Sequence, residues 1–256
     1  MEQSLQLART FFPMDTGPIY QETPLHVDHS TWLIEPWNAI SSLLIIVPGI
    51  YFLYKLRGRF RSQIFLTICA VLLILGGTGS TLFHGLRTEP GFLLLDWLPT
   101  AILFLLVIGY LWNRVVNNIW IAIGILLGMF GLSVLTFVLL PPQVSVNVAY
   151  GIRGVVFFLP LVIILSRTQY KNAALMFGGV IFFGLALLFR SIDKETGHLL
   201  PMGTHFLWHV STGIGGLLVA EYIYRLNGLQ MNAPKRRRQT LEIDLSAGKK
   251  DRAAGI

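Results

Sequence analysis

Ser80 and His84 stand four residues apart at the end of a long apolar stretch, Gly76-Gly-Thr-Gly-Ser-Thr-Leu-Phe-His84, and Asp96 opens the next one in Leu-Leu-Leu-Asp-Trp-Leu-Pro. On a helix this spacing turns the serine and the histidine to the same side. Further along, Gly203-Thr-His-Phe-Leu-Trp-His209 sets His205 and His209 at the same interval. Two histidines so placed on a helix are a known zinc-binding device. Three neutral imidazoles suit a catalytic zinc, which takes three protein ligands and keeps a fourth position open for water. Magnesium would ask for more carboxylates. A zinc ion lowers the pKa of its water to about 7. Asp96 is then the candidate general base, taking a proton from the water and passing it to a leaving group. Ser80 is the candidate to orient a ligand or to donate a hydrogen bond to a developing oxyanion. The other histidines, His26, His29 and His198, fall in polar segments and are expected to be solvated.

The elements that carry these groups follow from composition. The chain has 256 residues, 54% of them hydrophobic and 13% charged, against about 25% charged in soluble domains. An integral membrane protein is expected. A helix needs about twenty apolar residues to cross a bilayer. Seven stretches qualify: 35–54, 63–84, 91–112, 118–140, 146–166, 173–190 and 203–225. The fold class expected is therefore all-α, a polytopic bundle of seven transmembrane helices. Pro48, Pro160 and the glycines at 76, 77 and 79 do not argue against this, since membrane helices tolerate such residues and pack closely through small ones. Three parts are expected: an extracytoplasmic N-terminal segment (1–34), the seven-helix domain (35–226), and a basic, disordered tail (227–256). No cleavable signal peptide is evident, and no internal repeat is visible. The single cysteine, Cys69, rules out an internal disulfide and a cysteine metal site.

Loop charges give the bundle a direction. Lys55, Arg57, Arg59 and Arg61 occupy the first connection, Arg114 the third, Arg167 and Lys171 the fifth, and Lys235 to Arg238 the tail. The even connections are balanced, with Arg87 against Glu89 and Asp193 and Glu195 against Lys194 and Arg190. Lysine and arginine excess marks the cytoplasmic side, so the N-terminus is expected outside and the C-terminus in the cytoplasm. The net charge of +7 is read as topology, with the basic tail able to meet anionic head groups and no nucleic-acid partner. His84, Asp96, His205 and His209 then fall at one depth, beneath the outer surface. Ionisable groups within a membrane are costly and usually functional.

The set Ser80-x-x-x-His84, Asp96 in Asp-Trp-Leu-Pro and the closing His205-x-x-x-His209 resembles the alkaline ceramidases, which belong with the adiponectin-type receptors to a larger group of seven-helix membrane hydrolases. Glu35-Pro-Trp-Asn-Ala-Ile-Ser is similar to the family's approach to its first helix, and the resemblance runs from about Glu35 to Tyr224. It implies that His84, His205 and His209 bind zinc, that Ser80 and Asp96 complete the catalytic site, and that a ceramide-like lipid is hydrolysed to a sphingoid base and a fatty acid. It also implies a calcium site in which Glu22 and Glu35 take part, although Ile19 and Pro24 stand where oxygen ligands are expected. Glu35 could instead cap the first helix. The acyl chain would lie among Phe83, Leu94, Phe157, Phe158 and Phe206. Two rivals remain open: a receptor or sensor with a structural zinc, and a transporter, which would need ionisable groups along a continuous path rather than in one layer. Arg190 with Asp193 and Glu221 with Arg225 are expected to form structural ion pairs, and Arg153 to meet a carboxylate or an anionic lipid. The compact chain without sorting signals fits a bacterial inner membrane, or an endomembrane in a eukaryote. No oligomeric state can be read from the sequence.

Overall fold

A computed structural model describes residues 17–24, 32–87 and 90–228. His26, His29, Glu89 and the basic tail beyond 228 lie outside the described residues. Within them the chain forms seven helices and no strand: α1 (Pro36–Lys55), α2 (Ile64–Leu86), α3 (Pro90–Val116), α4 (Ile119–Leu139), α5 (Pro142–Arg167), α6 (Ala173–Ser191) and α7 (His205–Gly228). Six of them are long and apolar enough to cross a membrane. The seventh, α5, has 26 residues, ~39 Å at the rise of an α-helix. The protein is a polytopic helical membrane protein.

The expected and observed ends differ in instructive ways. Helices α1, α3 and α5 each begin on a proline, whose missing N–H is no loss in a first turn and whose fixed φ suits a helix. Hydropathy therefore started α5 four residues too late, at 146. Helix α4 begins after Asn118, whose side chain accepts from the backbone N–H of Trp120 at 2.9 Å and of Ile121 at 3.3 Å. Helix α7 begins at His205 rather than 203, because the Asp193 carboxylate accepts from the N–H groups of Thr204 and His205, each at 2.8 Å. That carboxylate provides two of the bonds that a helix start leaves unmade.

Close packing links α6 to α7, α7 to α1, α1 to α2 and α2 to α3, while α4 and α5 pack on α3 and on each other. Small residues set the distances. A Cβ on Gly79 would fall 2.3 Å from the Leu95 carbonyl carbon and 2.5 Å from the Asp96 nitrogen. A Cβ on Gly213 would fall 2.4 Å from the Leu44 carbonyl oxygen. Only glycine lets α3 approach α2, and α7 approach α1, at these points. Because Gly79 precedes Ser80 and faces Asp96, the same contact brings the serine to the aspartate.

The two ends of the bundle have different chemistry. At the end where α1, α3, α5 and α7 finish, Phe52, Leu56, Leu111, Ile164, Tyr222 and Leu226 form a continuous buried cluster. Glu221 there binds Lys55 and Arg225, the latter at 2.8 Å. The expected Glu221–Arg225 pair is thus present and extended by a lysine from α1. At the opposite end Glu35, Ser80, His84, Arg87, His205 and His209 are all buried. In membrane proteins an interhelical hydrogen bond contributes only about 0.6 kcal/mol on average, so a polar network of this size is not needed to hold the helices together. Its presence points to function.

Candidate metal centre

His84, His205 and His209 converge as the sequence predicts. One ligand atom from each lies within 4.8 Å of the others, and the three rings are separated by 4.7 to 5.3 Å, centroid to centroid. His84 comes from the last turn of α2, and His205 and His209 from the first two turns of α7. All three are at most 2% exposed.

Each ring is held by groups on other elements. His84 Nδ1 lies 2.5 Å from Glu35 Oε2. The carboxylate accepts the proton on Nδ1 and leaves Nε2 as a lone-pair donor, and His84 Nε2 is buried without a hydrogen-bond partner. His209 Nδ1 lies 2.9 Å from Ser41 Oγ and 3.3 Å from Ser42 Oγ. With the Ser41 hydroxyl donating to the Asn38 carbonyl at 3.1 Å, Ser41 accepts from Nδ1, and Nε2 is again the free donor. His205 Nδ1 is likewise buried without a partner. A carboxylate or hydroxyl behind the ring is the usual way of fixing the orientation and tautomer of a metal-binding histidine. Orphaned buried nitrogens are otherwise costly. The residues present fit a zinc ion.

Asp96 and Ser80 share a side-chain hydrogen bond beside this cluster. Ser42 Oγ lies 3.0 Å from Ser80 Oγ, so the serine sits between α1 and the aspartate on α3. Tyr20 closes the outer side, its ring stacked on His205 at 3.7 Å and tilted against His84 at 5.2 Å. Burial pushes the Tyr20 phenol up to about 12, so it stays neutral over the physiological range.

Sequence reasoning assigned other groups differently. Glu35 does not cap α1 with its side chain. Glu22 does so instead, accepting from the N–H groups of Trp37 at 2.7 Å and Asn38 at 2.9 Å. The proposed Arg190–Asp193 pair is replaced by two separate arrangements. Asp193 binds backbone N–H groups, including that of Gln21 at 2.8 Å, and Arg190 lies over the Trp208 ring at 5.1 Å. Of the residues expected to line the acyl chain, Phe83 meets His84 edge-on, Phe206 meets Trp37, Phe157 contacts Phe104 and Phe158, and Leu94 is exposed on α3.

Glu35 is the main residue whose role was not legible. Its backbone N–H donates to the His84 carbonyl at 3.1 Å, beside a second bond from Ile34 to Gly85 at 2.9 Å. This short link fastens the approach to α1 along the end of α2. Asp193, Ser41 and Ser42 also carry no local signal. A carboxylate eleven or twelve residues from its target amides, or a serine on a separate helix, is recognised only after the helices are packed.

A protein-family model described as Ceramidase matches residues 28–243. Curated proteins give no match.

Proposed function

The chain belongs to the ceramidase family, and from that premise we propose that it is a zinc-dependent amidohydrolase that cleaves a ceramide-like membrane lipid into a sphingoid base and a fatty acid. The observation that carries this reading is the three-histidine cluster with the Ser80–Asp96 pair at its side. A structural zinc is closed by four protein ligands, whereas a catalytic one keeps a position open. Among the described residues only the three histidines have ligand atoms that come together, and Asp96 is not one of the group, while Glu35 is held by His84 and Arg87 and Asp193 by backbone amides. A zinc held by these three side chains alone would keep a position for water, which favours hydrolysis over the structural zinc of a receptor.

Zinc held by His84, His205 and His209 would polarise the amide carbonyl and activate water at neutral pH. Asp96 takes a proton from the attacking water and returns it to the amide nitrogen as the carbon–nitrogen bond breaks. The products are then a free amine and a carboxylic acid. Ser80 donates its hydroxyl proton to the Asp96 carboxylate and holds it in place while it accepts from Ser42. Glu35 and Ser41 keep the two rings they contact from rotating during the cycle. Tyr20 covers the cluster and keeps bulk water from it.

Incubating the detergent-purified protein with fluorescent ceramide tests the proposal. Release of the labelled fatty acid, with about one zinc per chain as a three-histidine site implies, is the expected result. A protein that holds zinc and releases no acid from any ceramide would favour the receptor reading.

We infer that the site faces the extracytoplasmic side, since the basic residues of the odd loops collect at the other end of the bundle and such an excess marks the cytoplasmic side. A reporter fused after Ile256 is expected to read cytoplasmic. A periplasmic or lumenal signal would invert the topology and move the site to the opposite face.

A further inference from the structure

The family resemblance brings with it a calcium site on Glu22 and Glu35, and the described residues do not fit one. Calcium takes six to eight oxygen ligands. Both Glu22 oxygens are bound by amides at the start of α1, where the helix dipole supplies about half a positive charge. Glu35 Oε2 accepts from His84 at 2.5 Å and from the Asn38 side chain at 3.0 Å. Glu35 Oε1 accepts from Thr23 at 2.6 Å and from the Arg87 guanidinium. Ile19 and Pro24 offer no side-chain oxygen.

Arg87 stands where a cation would be needed. It is 2% exposed, unusual for an arginine unless it is paired. It ends α2 in the left-handed conformation, with φ 45°. Glycine is the usual residue there, and any other side chain carries a backbone penalty. The turn directs the guanidinium back across the end of α2 to Glu35 and, at 3.3 and 3.4 Å, to the Pro18 carbonyl.

We propose that the Arg87 guanidinium is the built-in cation of this site, replacing calcium. It neutralises Glu35, holds that carboxylate against His84, and fastens the segment bearing Tyr20 over the histidines. Because this cation is part of the chain and already occupies Glu35 Oε1, the site does not respond to calcium concentration. Arg87 is a positioning residue, acting on the metal through Glu35 and His84. The inference relies on the zinc reading for the metal that His84 holds, but calcium binding and melting are measured without turnover and decide it even if ceramide is not the substrate.

The full-length protein is prepared in calcium-depleted buffer with zinc restored. Expected are no stoichiometric binding of calcium-45, and the same zinc content and melting temperature with and without millimolar calcium. One calcium bound per chain, or zinc retention that depends on calcium, would overturn the proposal. In Arg87→Ala, zinc affinity is expected to fall about 10–100-fold, as when a group behind a metal ligand is removed, and millimolar guanidinium to restore it. Wild-type zinc affinity in Arg87→Ala would also overturn it. Should that variant not fold, the calcium measurements on the wild-type protein still give the answer.

Discussion

His209→Ala is expected to release the zinc and abolish ceramide turnover while leaving a folded membrane protein. His209 is 1% exposed and braced by Ser41, so no other side chain can swing into its place without repacking α1 against α7. Two imidazoles remain, and a metal with two protein ligands is held far more weakly than one with three. The loss of metal affinity should exceed the about 10–100-fold seen when only a group behind a ligand is removed. The fold should survive because the large apolar cluster of Phe52, Leu56, Ile164 and Tyr222 lies at the other end of the bundle. Metal analysis of the purified variant, with its melting curve, provides the check, and His84→Ala and His205→Ala should behave alike. Full zinc content in any of the three would remove that residue from the ligand set.

Asp96→Asn is expected to lower turnover by about 10²–10⁴-fold, the usual contribution of a positioned acid–base group, with zinc content unchanged. The substitution keeps the shape of the side chain and a partner for the Ser80 hydroxyl, and removes only the ability to take a proton. Asp96 lies outside the group of three side chains that could hold a metal, so the metal should stay. Zinc lost together with turnover would make Asp96 a fourth ligand. Unchanged turnover would place the base elsewhere. The two variants therefore separate holding the metal from moving the proton, which activity alone would not.

Much of the centre is legible in the sequence. The i,i+4 spacings of Ser80 with His84 and of His205 with His209 specify a shared helix face. Alternating apolar stretches and short loops specify antiparallel neighbours, which puts the end of α2 and the starts of α3 and α7 at one end of the bundle. Hydropathy and positional charge were sufficient for that, because a segment in a bilayer must satisfy its own backbone and has little choice but to be a helix. The same reasoning failed where residues were judged one at a time. Arg190 and Asp193 are three apart and look like an ion pair, yet Asp193 turns to the start of α7. Glu35 looks like a cap, yet Glu22 takes that place.

The sequence by itself thus determined the helices, their order, and which end of the bundle carries the chemistry. The tertiary structure decided what stands behind two of the histidines, Glu35 behind His84 and Ser41 behind His209, and that Arg87 reaches Glu35 from the end of α2. The physical reason lies in distance and rotation. These pairs join separate helices or a helix and the segment before one, and whether they meet depends on how closely Gly79 and Gly213 let the helices approach and how each helix is turned about its axis. Neither quantity is set by local spacing.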